Sequence, residues 1–310
     1  MKWIKKALIF RPSGEGGWMK SHAQIPTVLA LGDRLRVYFS SRPQPSFSLT
    51  TFVDVAIDDP TRILYLHETP ILEPGPPGAF DEHGIMPSGV LRNGDEVWLY
   101  YGGWSRRASI PYSNWTGLAI SDDGGRTFRK AFAGPVLDRT PQEIFSATAA
   151  FVLRDAGRWH SWYASGVEWA EIGGRLEEYY VIKYAHSADG LVWNRENRQL
   201  LPPEQPRRAT HRPTVFHHDG LWHMYFSHRG LEDFRDGTNS YRIGYASSRD
   251  MRDWTRDDAR AGLPLSETGW DSKMTAYPYI VEAGGRTYLF YCGNGFGGEG
   301  FGYAELAPEA

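Results

Sequence analysis

The sequence holds a single cysteine, Cys292, among 310 residues, so no internal disulfide is possible. Its ordinary reading is a small buried residue on a strand, ahead of a catalytic thiol. A long apolar run is also missing. The N-terminus, Met1-Lys-Trp-Ile-Lys-Lys-Ala-Leu-Ile-Phe, carries the lysines of an export signal, but the apolar stretch Ala7–Phe10 is far too short for its core. Nothing approaches a membrane span. A soluble, cytoplasmic protein is expected. Charge of one sign is absent too, with 34 basic residues against 37 acidic ones. That balance, without a basic run, excludes a nucleic-acid partner and gives no reason to expect a membrane one.

What the chain does have is aromatic residues, 14% of the total with 12 Trp and 17 Tyr, together with 34 Gly and 20 Pro. Many short strands joined by Gly/Pro turns fit this composition better than helices do. One pattern recurs five times. Its first segments read His22-Ala-Gln-Ile-Pro-Thr-Val-Leu, His83-Gly-Ile-Met-Pro-Ser-Gly-Val, Phe145-Ser-Ala-Thr-Ala-Ala-Phe-Val, Thr210-His-Arg-Pro-Thr-Val-Phe and Thr275-Ala-Tyr-Pro-Tyr-Ile-Val. Aligned on Pro26, Pro87, Ala149, Pro213 and Pro278, they lie 61, 62, 64 and 65 residues apart. Each precedes a tight turn such as Asn93-Gly94 or Asp219-Gly220, then an aromatic strand such as Trp98-Leu-Tyr-Tyr or Trp222-His-Met-Tyr-Phe. Three repeats add a hairpin with a Ser/Asp turn, at Gly117–Phe128, Tyr184–Trp193 and Gly244–Trp254. Four strands per repeat make a propeller blade. The prediction is an all-β chain, one five-bladed β-propeller domain over residues 1–310. The last repeat ends one strand short, and Ala7–Arg11 is expected to supply that strand and close the ring.

Strand order predicts which rim carries chemistry. The links between second and third strands lie at the same end as the start of each first strand. They are long and varied, as in Gly102–Trp115, Ser165–Arg175, His228–Gly237 and Gly293–Gly300, whereas the turns at the other end are short. Binding residues concentrate on such loops. The segments entering the first strands add His22, Gln24, Asp81, Glu82, His83, Glu143, Ser146, His211, Arg212, Asp271, Lys273 and Tyr277. A functional central cavity is expected there. A polar channel without chemistry is the alternative.

The strand–Gly turn–Tyr-Tyr repeat and the Ala-x-Ser-x-Asp-Gly-x-x-Trp hairpin at Ala185–Trp193 resemble the clan of five-bladed glycoside hydrolases, families 43, 32, 68 and 130. The resemblance covers nearly the whole chain. It implies a carbohydrate-active enzyme, a glycosidase with a small-molecule carbohydrate substrate. In family 43 a first-blade Asp is the base, a second-blade Asp orients, and a Glu shortly before a proline on a later blade is the acid. This chain has His22, Gln24 and Ile25 in the first place and His211-Arg212-Pro213 in the last. Glycoside hydrolysis needs two carboxyls flanking the scissile bond, one of them held protonated. Candidates are Asp81, Glu82, Glu143, Asp271 and Glu299, with Asp81 and Glu143 the expected acid/base pair and His211 assisting. His22, Gln24, Glu82, His83, Trp104, Trp169, Arg212, Asp271, Lys273 and Tyr277 are expected to bind substrate. Trp18 and Trp115 are further stacking candidates, and Arg106 and Arg107, like Arg212, are candidates for holding a carboxylate or phosphate. This chemistry requires no cofactor. Two other readings remain open. His22, His83 and His211 are candidate ligands of a divalent metal in the central channel, which would make the protein a metal-dependent lyase or isomerase. The missing first-blade Asp also leaves a noncatalytic sugar-binding propeller.

Overall fold

The computed structural model describes residues 1–15, 17–202, 208–235 and 237–308. Strands make up nearly all of their regular structure, beside one 3-10 turn and one distorted helical turn, α1 (Asn294–Gly297). β1 (Trp3–Phe10) comes first. Each sequence repeat then forms one antiparallel unit. Unit one is β2 (Ser21–Ala30), β3 (Arg34–Arg42), β4 (Leu49–Ala56) and β5 (Ile63–Leu66). Unit two is β6 (Gly84–Asn93), β7 (Glu96–Arg106), β8 (Tyr112–Ser121) and β9 (Arg129–Lys130). Unit three is β10 (Ser146–Asp155), β11 (Arg158–Ile172), β12 (Arg175–Ser187) and β13 (Asn194–Arg195). Unit four is β14 (Ala209–His218), β15 (Leu221–Arg229), β16 (Arg242–Ser248) and β17 (Thr255–Arg256). Unit five is β18 (Ala276–Ala283), β19 (Arg286–Cys292) and β20 (Phe301–Leu306), with β1 antiparallel to β20 as its fourth strand. That pairing starts at Trp3 opposite Leu306, earlier than the apolar run at Ala7.

Strands inside a unit are covered on both faces, so they read as apolar runs instead of alternating. β4 is buried at every position, while outermost β5 keeps Ile63, Leu64 and Tyr65 exposed. The first strands pack in sequence, β2 on β6, β6 on β10, β10 on β14 and β14 on β18, and β18 packs on β2. Neighbouring units are stitched where a third strand meets the next first strand. Thr50 Oγ1 donates to the Ile85 carbonyl at 2.9 Å and Thr116 Oγ1 to that of Ala147 at 3.0 Å. The Ser/Asp hairpins have a local cause. The Asp189 carboxylate accepts the amides of Leu191 and Val192 at 2.8 and 3.0 Å and the Ser187 hydroxyl at 2.9 Å. Asp123 and Asp250 do the same in units two and four.

The first strands share a bulge near their start. Ile25, Ala149, Arg212 and Tyr277 have φ of 59°, 53°, 52° and 58°, the left-handed region that non-glycine residues rarely enter. Such backbone costs roughly 1–3 kcal/mol each and clusters at ligand sites. Unit two has the same one-residue bulge, between Pro87 and Gly89, without a left-handed residue. This geometry corrects the alignment. Pro87 and Ala149 both match Ile25, so Ser88 and Ala150 stand in register with Pro26, Pro213 and Pro278, and the spacings become 62, 62, 63 and 65 residues. No helix among the described residues is long and apolar enough to cross a membrane.

Candidate functional site

Asp81, Glu143 and Asp271 occupy equivalent places, and each is engaged inside its own unit. Each carboxylate accepts a hydrogen bond from the tyrosine 20 residues further on: Tyr101 at 3.1 Å, Tyr163 at 3.0 Å and Tyr291 at 2.9 Å. Each also meets cations held by the same unit. Lys130 of β9 lies 2.6 Å from Asp81, and Lys5 of β1 lies 2.7 Å from Asp271. Arg195 of β13 and Lys183 of β12 lie 2.9 and 3.2 Å from Glu143. Burial pushes the Glu143 carboxyl up, but the Arg195 bond and the charges of Lys183 and Arg195 outweigh it and leave its pKa below the ordinary value. The tyrosine position is Phe39 in unit one and Phe226 in unit four. Carboxylate and tyrosine thus occur together in three units. This arrangement ties strands within a unit and argues against Asp81 and Glu143 as a converging acid/base pair. Glu143 also borders an outer groove of about 580 Å³ with Trp193, Asn194 and Arg195, away from the first strands.

Polar side chains from all five units meet where the first strands begin. Glu178 of β12 accepts the Ser146 hydroxyl at 2.5 Å and is hydrogen-bonded to Tyr112 of β8. Trp169 lies directly across the strand pair from Glu178 and edge-on to Tyr112, ring centres 5.1 Å apart. Gly166 is required there, because a Cβ would strike both the Glu178 carboxylate and the Ser146 hydroxyl. Two residues along β12, Tyr180 hydrogen-bonds Tyr241, and both hydroxyls accept from Arg229 Nε, at 2.9 and 3.2 Å. Arg229 also donates to the backbone carbonyl of Glu178 at 2.9 Å. The His211 ring lies 4.8 Å from Tyr180 and 6.0 Å from Tyr277, and Tyr277 lies 5.5 Å from Tyr241. Unit one contributes His22, Gln24 and Arg42.

Burial decides the protonation states. It pushes Glu178 up to about 7, against the Ser146 and Tyr112 hydrogen bonds and the Arg229 charge, which pull it down. Burial, then the charges of Arg212 and Arg229, lower His211 to about 3. Burial and Arg42 lower His22 to about 4. Both rings are neutral at pH 7. His211 Nδ1, Gln24 Oε1 and Trp169 Nε1 are buried without a hydrogen-bond partner among the described residues. Orphaned polar atoms are uncommon away from ligand or water sites.

The other expected residues are dispersed. His83 sits by Trp104, 6.1 Å between rings, and by Glu82 at 3.4 Å. Glu82 caps the Gly78 amide, and Trp104 donates to Ser48. Lys273 points outward, and its backbone bonds Asn294 and Ser240. Trp115 is core, Trp18 donates to the Glu68 carbonyl, Arg106 is exposed, and Arg107 donates to Ser113. Asn294 reaches Glu299 at 3.5 Å. Arg212 departs from its expected role. It is 0% exposed and donates to the Ser88 carbonyl, the Pro26 carbonyl and the Thr27 hydroxyl, so it ties unit four to units one and two. The three histidines do not gather either, since His22 faces Arg42 and His211 faces two arginines. Among the described residues no group of three His, Cys, Asp or Glu side chains is placed to hold a metal.

Glu178, Tyr112, Tyr180, Arg229, Tyr241 and Arg42 were not among the sequence candidates. Five of them stand on second and third strands and Tyr241 just before β16, none at the entrance to a first strand. One signal was available: Phe39-Ser-Ser-Arg42 and Phe226-Ser-His-Arg229 are the same motif at the same repeat position.

The strand arrangement resembles the fold of propeller glycoside hydrolases. A thermostable family-43 glycoside hydrolase superposes with a TM-score of 0.68 at 16% identity, covering 93% of this chain and 91% of that one. An alpha-L-arabinofuranosidase from Lactobacillus brevis superposes with a TM-score of 0.68 at 12% identity, covering 95% of each. No family model matches the sequence. The uncharacterised protein Rv1502 of Mycobacterium tuberculosis is 35% identical over 310 residues, 99% of each chain, and this chain belongs to its family.

Proposed function

We propose that the five units are the blades of one closed ring, a single domain, and that the protein is a glycosidase acting at the axial end where Glu178 lies. Glu178 carries this reading. It is a buried carboxyl with no ion pair among the described residues, held near pKa 7. A carboxylic acid protonated near neutral pH is what departure of a glycosidic oxygen requires. In this mechanism Glu178 protonates the leaving oxygen as the glycosidic bond breaks. Water oriented by the neutral His211 ring adds to the anomeric carbon, and a proton returns to the Glu178 carboxylate through solvent. Trp169 and Tyr112 offer a face for the sugar. The glycoside hydrolase propellers that share the fold support a carbohydrate substrate.

A panel of aryl glycosides tests the assignment. Glu178→Gln should lower turnover at least about a hundredfold, and wild-type activity should fall as pH rises through about 7. Unchanged turnover in the variant refutes it. A sugar-binding protein without turnover is the second reading. Its support is that no second carboxylate figures among the groups acting on Glu178. Sugar binding without hydrolysis across the panel would favour it.

A further inference from the structure

Arg42 and Arg229 end the same strand of their units, behind Phe39 and Phe226. Their surroundings differ. The Arg229 guanidinium is satisfied by two tyrosine hydroxyls and the carbonyls of Gly230 and Glu178. The Arg42 side chain has no hydrogen bond or ion pair among the described residues, although it is partly buried. It pairs across the strands with Ser21, whose hydroxyl meets His22 Nδ1 at 2.9 Å, and the groups acting on it are Tyr277 and His22. Neither neighbour brings negative charge: the ring is neutral, and burial keeps the phenol protonated. A desolvated cation without a counter-ion is costly to hold. Beside it, the Gln24 amide, 4% exposed, has an orphaned oxygen and only the Met86 sulfur for its nitrogen.

We propose that the axial site takes a glycoside with one carboxylate, a uronic acid unit, and that Arg42 is the carboxylate's ligand, with Gln24 bonding an adjacent hydroxyl. The inference rests on the sugar reading of this site. One bare guanidinium balances one negative charge, and its planar fork fits a planar carboxylate through two parallel bonds. A doubly charged phosphate would be left half neutralised. Arg229 offers no help, since its donors are already engaged, and Arg212 is 0% exposed with both terminal nitrogens spent on units one and two, which leaves only its Nε unpartnered among the described residues.

Calorimetric titration of the full chain tests this independently of turnover. The probes are methyl glucuronide and methyl galacturonide, the matching neutral glucoside and galactoside, and glucose 6-phosphate. Uronides should bind about ten- to a hundredfold more tightly than neutral sugars, the range of a charge-assisted bond. Arg42→Gln should abolish that preference without lowering the melting temperature, and Arg42→Lys should keep part of it. Equal binding of uronides and neutral sugars overturns the proposal alone, as does tighter binding of the phosphate ester or a preference that survives Arg42→Gln. Binding of no sugar at millimolar concentration overturns it together with the sugar reading.

Discussion

Glu143→Gln separates a structural carboxylate from a catalytic one. The side chain is 1% exposed and receives Tyr163, Lys183 and Arg195, whose cationic side chains are 7% and 11% exposed. Glutamine keeps the shape and an acceptor for Tyr163 but leaves two buried cations without a counter-charge. Breaking a buried pair from one side costs about 3–5 kcal/mol. Unfolding entropy grows with length, so for a chain this size each kcal/mol moves the midpoint by roughly 1.5 °C, and a fall of roughly 5–8 °C is expected. Calorimetry or circular dichroism melting reads it. Replacing the cations as well, in Glu143→Gln with Lys183→Met and Arg195→Met, should recover much of the loss, because units one and four hold Phe at the tyrosine position. The pH dependence has a definite sign. The folded pKa of Glu143 lies below its unfolded value, so its contribution is complete above the unfolded pKa of about 4.3 and is lost as pH falls through the folded one. The variant should therefore show a shallower acid limb. A variant that melts within about 1 °C of wild type yet has lost all turnover would refute the structural role.

Arg212→Met should lower stability by about 3 kcal/mol, because the Ser88 and Pro26 carbonyls and the Thr27 hydroxyl lose their donor. An unchanged urea midpoint would contradict its tie between units. Asp189→Ala frees two amides of an exposed hairpin and should cost about 1 kcal/mol after discounting for solvent. The Asp189 carboxyl is held below its ordinary pKa by the Val192 and Leu191 amides, so the cost should vanish as pH falls through the folded value, which pH-dependent melting of the pair would show.

The fold was legible because it is periodic. Turn glycines, Ser/Asp hairpins and aromatic strands recur at nearly fixed spacing, and each recurrence repeats the evidence for a unit. The single-residue misalignments at Pro87 and Ala149 came from the bulge. The proline of unit two stands one place early, unit three has none, and a left-handed residue leaves no mark in an apolar run. Loop length singled out one rim for the expected site. The residues upon it were harder to read, because a carboxylate entering a first strand looks the same whether it faces a ligand or a tyrosine 20 residues away.

Repetition itself discriminates between those two cases. A group that holds a unit together is needed in most units, so it recurs with its partners, as Asp81, Glu143 and Asp271 do with Tyr101, Tyr163 and Tyr291. A substrate is not five-fold symmetric, and the residues that meet it should break the pattern. Glu178 does so, since it is a buried carboxyl facing Ser146 and Tyr112 with no cation in an ion pair among the described residues. Arg42 does so in a subtler way. Its motif is repeated, but Arg229 is enclosed by Tyr180 and Tyr241 while Arg42 has no such partners. Equivalent arginines with unequal partners mark where the repeat departs from its own symmetry, and that departure lies with His22 and Gln24 at the end of the first strands, the end proposed for the Glu178 site.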